Sequence, residues 1–166
     1  IKDFAIYSQL ERGLSINTIK AYQRDLKKLS LWLEENQMED LPISISQNSL
    51  RTYIYELAKT VQARSQARAI SSLKAFFEYL ILERYREDQP MALIEAPKTG
   101  RKLPDTLSTT EIDLLINSID RSTPEGERNR AMLETLYACG LRVSELITLK
   151  ISDLFFNEGF LKVTGK

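Results

Sequence analysis

Gly140-Leu141-Arg142-Val143-Ser144-Glu145-Leu146 lies between two apolar helical runs, Met132 to Tyr137 before it and Leu146 to Leu149 after it. Gly140 offers the left-handed conformation that closes a helix. Ser144 and Glu145 suit the first turn of the next one. Arg142 therefore falls at a corner where one helix stops and another begins. A guanidinium in that place is either a structural clasp closed on Glu145 or a fixed cation for an anionic ligand. Beyond Leu149 the period changes: Leu154-Phe155-Phe156, Asn157-Glu158-Gly159 and Phe160-Leu161-Lys162-Val163 read as a β-hairpin.

Upstream of that corner the pattern is helical. Ser108-Thr109-Thr110-Glu111 fits a capping box, and Ile112, Leu115, Ile116 and Ile119 carry the apolar stripe behind it. Pro124 and Gly126 read as a turn, with a helix from Arg128 to Cys139. Between Glu87 and Pro104 the periodicity disappears into Pro90, Pro97, Thr99, Gly100 and Pro104, which is linker composition. Before the linker, four helices are expected. The first carries Phe4, Tyr7 and Leu10 and stops at Gly13; the second is capped by Ser15 and striped by Ile19, Tyr22, Leu26, Leu29 and Leu33. The third runs from about Gln47 to Lys59, and the fourth from about Ser65 to Glu83. The expected organisation is a helical bundle over 1–88, a linker over 89–106 and a second unit over 107–166. Two strands and some 60 residues make a marginal core, so the second unit is expected to be the N-terminal part of something larger.

Net charge is zero, from 23 basic and 23 acidic residues, which argues against a simple polycationic nucleic-acid binder. The distribution says more. Arg12 to Arg24 and Leu57 to Phe77 contain no acid, and Lys98, Arg101 and Lys102 form a third acid-free cluster. Segregation of this kind permits a basic face on a neutral protein. The chain has no histidine, so an imidazole base, a histidine metal ligand or a serine–histidine couple is excluded within it. It also lacks a Gly-rich phosphate loop, a paired-cysteine motif and a calcium-loop pattern. The one cysteine, Cys139, fits a reduced cytoplasmic setting, and no apolar run approaches the roughly 20 residues that span a bilayer.

Taken in order, several stretches carry a resemblance: Arg12-Gly13-Leu14-Ser15-Ile16-Asn17-Thr18 with Tyr22 and Arg24-Asp25-Leu26; Ala69-Ile70-Ser71-Ser72-Leu73-Lys74 with Phe76-Phe77; Arg101-Lys102-Leu103-Pro104; Arg130-Ala131-Met132; and Tyr137-Ala138-Cys139 running into Gly140 to Leu146. The sequence resembles the tyrosine site-specific recombinases of the phage integrase family, nearest to their bacterial Xer-type members. The resemblance implies a mainly α chain: a four-helix, SAM-like core-binding bundle, then the start of an α+β catalytic domain ending in a β-hairpin. It implies duplex DNA as substrate, recombinase protomers as partners in a tetramer on synapsed sites, and a bacterial, nucleoid-associated location. It implies strand cleavage through a 3′-phosphotyrosine without metal or other cofactor. Arg142 matches the first catalytic arginine, Glu145 a supporting acid, and Lys166 the lysine carried by the hairpin. These types suit the chemistry, since a forked guanidinium fits a phosphorane's extra negative charge and an ammonium can protonate the leaving oxygen.

For DNA contact, the readings are Ser15, Asn17, Thr18, Lys20 and Arg24 at the start of the second helix, and Arg64, Ser65, Arg68, Ser71 and Lys74 at the start of the fourth, with Arg101 and Lys102 in the linker. Helix starts offer backbone N–H groups to phosphates, and short hydroxyl side chains let the backbone approach. All seven tyrosines (Tyr7, Tyr22, Tyr53, Tyr55, Tyr79, Tyr85 and Tyr137) lie upstream of Arg142, outside the nucleophile's place in the family pattern. The 166 residues alone are therefore expected to be inactive, and monomeric without DNA. The competing reading is a non-catalytic helical DNA-binding or adaptor module.

Overall fold

The computed structural model describes residues 1–38, 40–41, 43–100 and 103–163. The described residues form seven α-helices and one two-stranded antiparallel sheet, the mainly α composition expected. By internal contacts the chain separates into two compact units, Ile1–Lys102 and Leu103–Lys166.

Serine caps set three of the helix starts. Ser15 accepts the Thr18 N–H and opens α2 (Ile16–Glu35), Ser46 accepts the Ser49 N–H and opens α3 (Gln47–Thr60), and Ser108 with Glu111 forms a full capping box on α5 (Thr109–Asn117). The other two helices of the first unit are α1 (Lys2–Leu10) and α4 (Ala63–Leu82). Helix α4 starts two residues before the expected Ser65, behind Gln62, whose side chain makes no capping bond. In α1 the buried residues are Phe4 and Ser8, while Leu10, read as part of the stripe, is largely exposed.

The bundle core is built from one apolar face of each helix. Leu26, Leu29 and Leu33 of α2, Leu50 and Ile54 of α3, and Ile70, Leu73, Phe77 and Leu80 of α4 are buried together with Phe4. Each such side chain contributes about 1.5–3 kcal/mol by leaving water. The most extensive helix pairing is α2 on α4. Aromatic rings fill one end, with Phe4 edge-on to Phe76 at 5.4 Å and tilted against Tyr79 at 5.5 Å.

The segment after α4 packs onto the bundle before it becomes linker-like. Met91 is fully buried and Ile94 nearly so, both within the bundle core. Arg86 anchors this segment: its guanidinium donates to the Ile43 and Ile45 carbonyl oxygens at 2.9 Å, forks onto Asp88, and lies over the Phe77 ring. A Pro-bearing composition hides such packing because two isolated apolar residues carry no period.

In the second unit, α6 (Pro124–Cys139) begins earlier than expected. Pro124 occupies the first helical turn behind the Thr123 cap, where its missing N–H costs nothing. Gly126 belongs to that turn too, and a Cβ there would collide with the Asp120 carbonyl. Helix α7 (Val143–Thr148) follows the left-handed Gly140 (φ 62°), and a single 3-10 turn, Ile151–Asp153, leads into the hairpin. Strands β1 (Leu154–Phe155) and β2 (Phe160–Leu161) pair Leu154 with Leu161 and Phe155 with Phe160. The strands are shorter than read, because the Gly159 N–H bonds back to the Phe155 carbonyl and leaves Phe156 in the loop.

One polar atom of the bundle core is left over. The Tyr53 hydroxyl is buried with no hydrogen-bond partner among the described residues. Burial, and secondarily the Asp25 carboxylate, push its pKa from 10.0 up to about 12. Removing an unpaired buried hydroxyl leaves nothing unsatisfied, so Tyr53→Phe is expected to hold or raise Tm at neutral pH. The raised folded-state pKa means the contribution is intact below pH 10 and is lost as pH climbs towards 12. Wild-type denaturant stability should therefore fall over that alkaline window, and Tyr53→Phe should flatten the fall; a marked Tm loss in Tyr53→Phe would show that the hydroxyl has a partner.

Candidate nucleic-acid interface and catalytic corner

Helix α2 begins with its polar groups committed to its own cap. The Ser15 and Thr18 hydroxyls bond each other at 2.9 Å, and Ser15 accepts the Thr18 N–H. One turn on, a cationic strip begins. Asn17, Lys20, Gln23, Arg24 and Lys27 line one shallow groove of about 470 Å³, all from the same side of α2. The spacing follows from the helix, where residues three, four and seven apart share a face. Lys20, Arg24 and Lys27 are exposed and make no ion pair among the described residues. Gln23 and Lys27 were not among the sequence candidates, although the spacing from Lys20 was there to find them.

The α4 candidates are less uniform. Arg64 and Ser71 are exposed; Ser65 and Lys74 are half-buried. Ser71 bonds back to the Ala67 carbonyl of its own helix. Arg68 is committed to α2: its Nε donates to Asp25 Oδ2 at 3.0 Å and its Nη2 to Asp25 Oδ1 at 3.1 Å. That fork raises the Arg68 pKa, chiefly through the hydrogen bond and against the opposing effect of burial. The acid-free stretch around Arg68 gives no sign of this partner, and the sequence alone assigns Asp25 no role of its own. Arg101 and Lys102 lie outside the described residues.

At the second unit's corner, Arg142 caps α7 and is clasped by Glu145. Its Nη1 donates to Glu145 Oε1 at 2.7 Å, and its backbone N–H donates to Glu145 Oε2 at 2.8 Å. The two bonds, the backbone one foremost, hold the Glu145 carboxyl below its ordinary value. The Arg142 side chain is nonetheless 81% exposed, against 16% for Glu145. Glu145 thus fixes the arginine without covering it. Beside it, Glu145, Thr148, Lys150, Asp153 and Lys162 help to line a recess of about 230 Å³ where α7 meets the hairpin. Lys166 lies outside the described residues, so its distance from Arg142 is not part of this geometry. Among the described residues, no group of histidine, cysteine, aspartate or glutamate side chains is arranged to hold a metal ion, and no helix is long and apolar enough to cross a membrane.

Comparison with known proteins follows the same two-part division. Residues 1–84 match the phage integrase N-terminal SAM-like domain, and residues 105–166 match the phage integrase family proper. The whole chain is 40% identical to tyrosine recombinase XerD of Listeria monocytogenes serotype 4b (strain F2365), covering 56% of that protein. It is 41% identical over its whole length to tyrosine recombinase XerD of Proteus mirabilis, covering 53% of it. The chain thus spans about half the length of the curated relatives it matches. In structure it is similar to the integrase from mycobacterium phage Brujita, with a TM-score of 0.53 and 24% identity over 99% of this chain and 53% of that one, a likeness of fold. With one family domain matched over each of its two units, the chain belongs to the phage integrase family.

Proposed function

We propose that this chain is the DNA-gripping portion and the leading part of the catalytic site of a tyrosine site-specific recombinase acting on duplex DNA. The observation that carries the reading is the strip of α2 on which Lys20, Arg24 and Lys27 stand exposed, with no ion pair among the described residues, in a protein with no net charge to hold DNA by composition alone. Cations so placed neutralise backbone phosphates and release counterions, which supplies sequence-independent affinity. Asn17 and Gln23, between them, have the amide groups that read base edges. Arg64, Ser65, Ser71 and Lys74 at the start of α4, and Arg101 and Lys102 beyond it, complete the proposed DNA-facing set, with Ser15 and Thr18 holding the turn that opens α2.

For the chemistry, Arg142 meets a non-bridging oxygen of the scissile phosphate, Glu145 keeps its guanidinium in place, and Lys166 protonates the leaving 5′-oxygen. The exposure of Arg142 despite its two-bond hold by Glu145 supports this division of labour. The nucleophile would be a tyrosine outside the 166 residues, whose covalent link to the 3′-phosphate stores the bond for rejoining without metal or nucleotide. Identical or related protomers would assemble on synapsed sites in a bacterial cytoplasm, while these 166 residues alone stay monomeric without DNA.

Two measurements test the reading. Lys20→Ala and Arg24→Ala should each weaken binding to duplex DNA and reduce the slope of log K against log salt by about 0.9; an unchanged slope in both would contradict it. Incubated with a nicked suicide duplex, the 166-residue chain should give no covalent protein–DNA adduct, and an adduct on any of its seven tyrosines would overturn the assignment of the nucleophile.

A further inference from the structure

Asp25 is out of place in packing terms. It sits on α2 one turn from Ala21 and one from Leu29, both buried, and is itself only 2% exposed. An apolar side chain would fill that position without desolvating a charge, and buried ion pairs are commonly no more stabilising than apolar replacements. What the carboxylate achieves is to hold Arg68. Both its oxygens are engaged, one by Nε and one by Nη2, so the guanidinium plane is fixed by a two-point fork. The Arg68 side chain remains 43% exposed, and its Nη1 makes no hydrogen bond among the described residues. No other acid lies between Leu57 and Phe77 to take that edge up. Its neighbours three and four residues away on the exposed side of α4 are Arg64 and Ser71.

We infer that Asp25 is a positioning residue for DNA binding: the buried Asp25–Arg68 fork holds the free Nη1 edge of Arg68 outward for a backbone phosphate. This rests on the DNA-binding reading of α2 and α4 above. An arginine on an exposed helix surrenders rotamer freedom when it meets a phosphate, and a pre-formed fork removes much of that loss in advance. The same carboxylate also lowers the net charge near the phosphate, so the two effects of Asp25 on affinity are opposite in sign. That opposition makes the inference testable.

The experiment is a salt series of duplex-DNA binding by the full chain, with Tm recorded for every variant. Asp25→Asn keeps the shape and removes the charge. It should weaken binding by about 3–10-fold if positioning dominates, even though it adds one net positive charge. Arg68→Lys keeps the charge but cannot fork, and should weaken binding by a similar factor at an unchanged Tm or a lower one. Arg68→Ala should reduce the salt slope by about 0.9. Tighter binding with a steeper slope in Asp25→Asn would show that Asp25 only cancels Arg68, and would overturn the inference. Wild-type affinity in Arg68→Lys, or a wild-type slope in Arg68→Ala, would overturn it as well. Should Asp25→Asn fail to fold, the two Arg68 variants decide. Lys20→Ala and Arg24→Ala in the same series separate the two levels: if they weaken binding and the Arg68 variants do not, this inference fails alone; if none changes the slope, the DNA-binding reading fails with it.

Discussion

The first unit depends on the seam between α2 and α4. Leu26, Leu29 and Leu33 meet Ile70, Leu73 and Phe77 within one core, and the whole bundle closes around them. Because apolar packing is non-directional, it fixes that the helices meet more firmly than it fixes how side chains leave the seam. The Asp25–Arg68 fork adds direction. It ties the two helices at one point with a geometry that a lysine or a glutamine could not reproduce, and it does so within the first half of each helix, where the proposed DNA-facing residues stand. The cost of burying the carboxylate is offset only while the guanidinium is present, so the two residues act as a unit.

The second unit is organised on a different principle. Among its described residues only Ile116 and Gly126 are buried, while Ile147, Ile151 and Phe156 stand largely exposed. Its local geometry is held by caps and turns instead: the capping box on α5, Pro124 and the Thr123 cap on α6, left-handed Gly140, and Glu145 closing on Arg142. Such bonds are short-range and depend little on a completed core. Arg142 can therefore be oriented by its own helix start, with Glu145 one turn away supplying both the cap and the clasp.

These differences explain what the residues disclosed before any coordinates. Serine caps at Ser15, Ser46 and Ser108 announce their helices because the signal lies within three residues. The Arg142–Glu145 pair is legible for the same reason. The start of α4 is hard to read because Gln62 carries no capping bond, and the start of α6 because Pro and Gly together read as a turn. Only the folded chain shows that Gly126 is needed for the approach of the Asp120 carbonyl. Met91 and Ile94 are core residues without a period to betray them. Asp25 and Arg68 lie 43 residues apart, and nothing local to either shows that the acid-free stretch around Arg68 is answered by a buried acid on another helix.

The central proposal is that the first halves of α2 and α4 together form a surface that meets DNA. Backbone amide chemical shifts of the 166-residue chain, followed during titration with duplex DNA, test it most directly. The expected result is that the largest shifts cluster at Asn17 to Lys27 and Arg64 to Lys74, and diminish as salt is raised. Shifts confined to α1 and α3, or none at all at low salt, would contradict it.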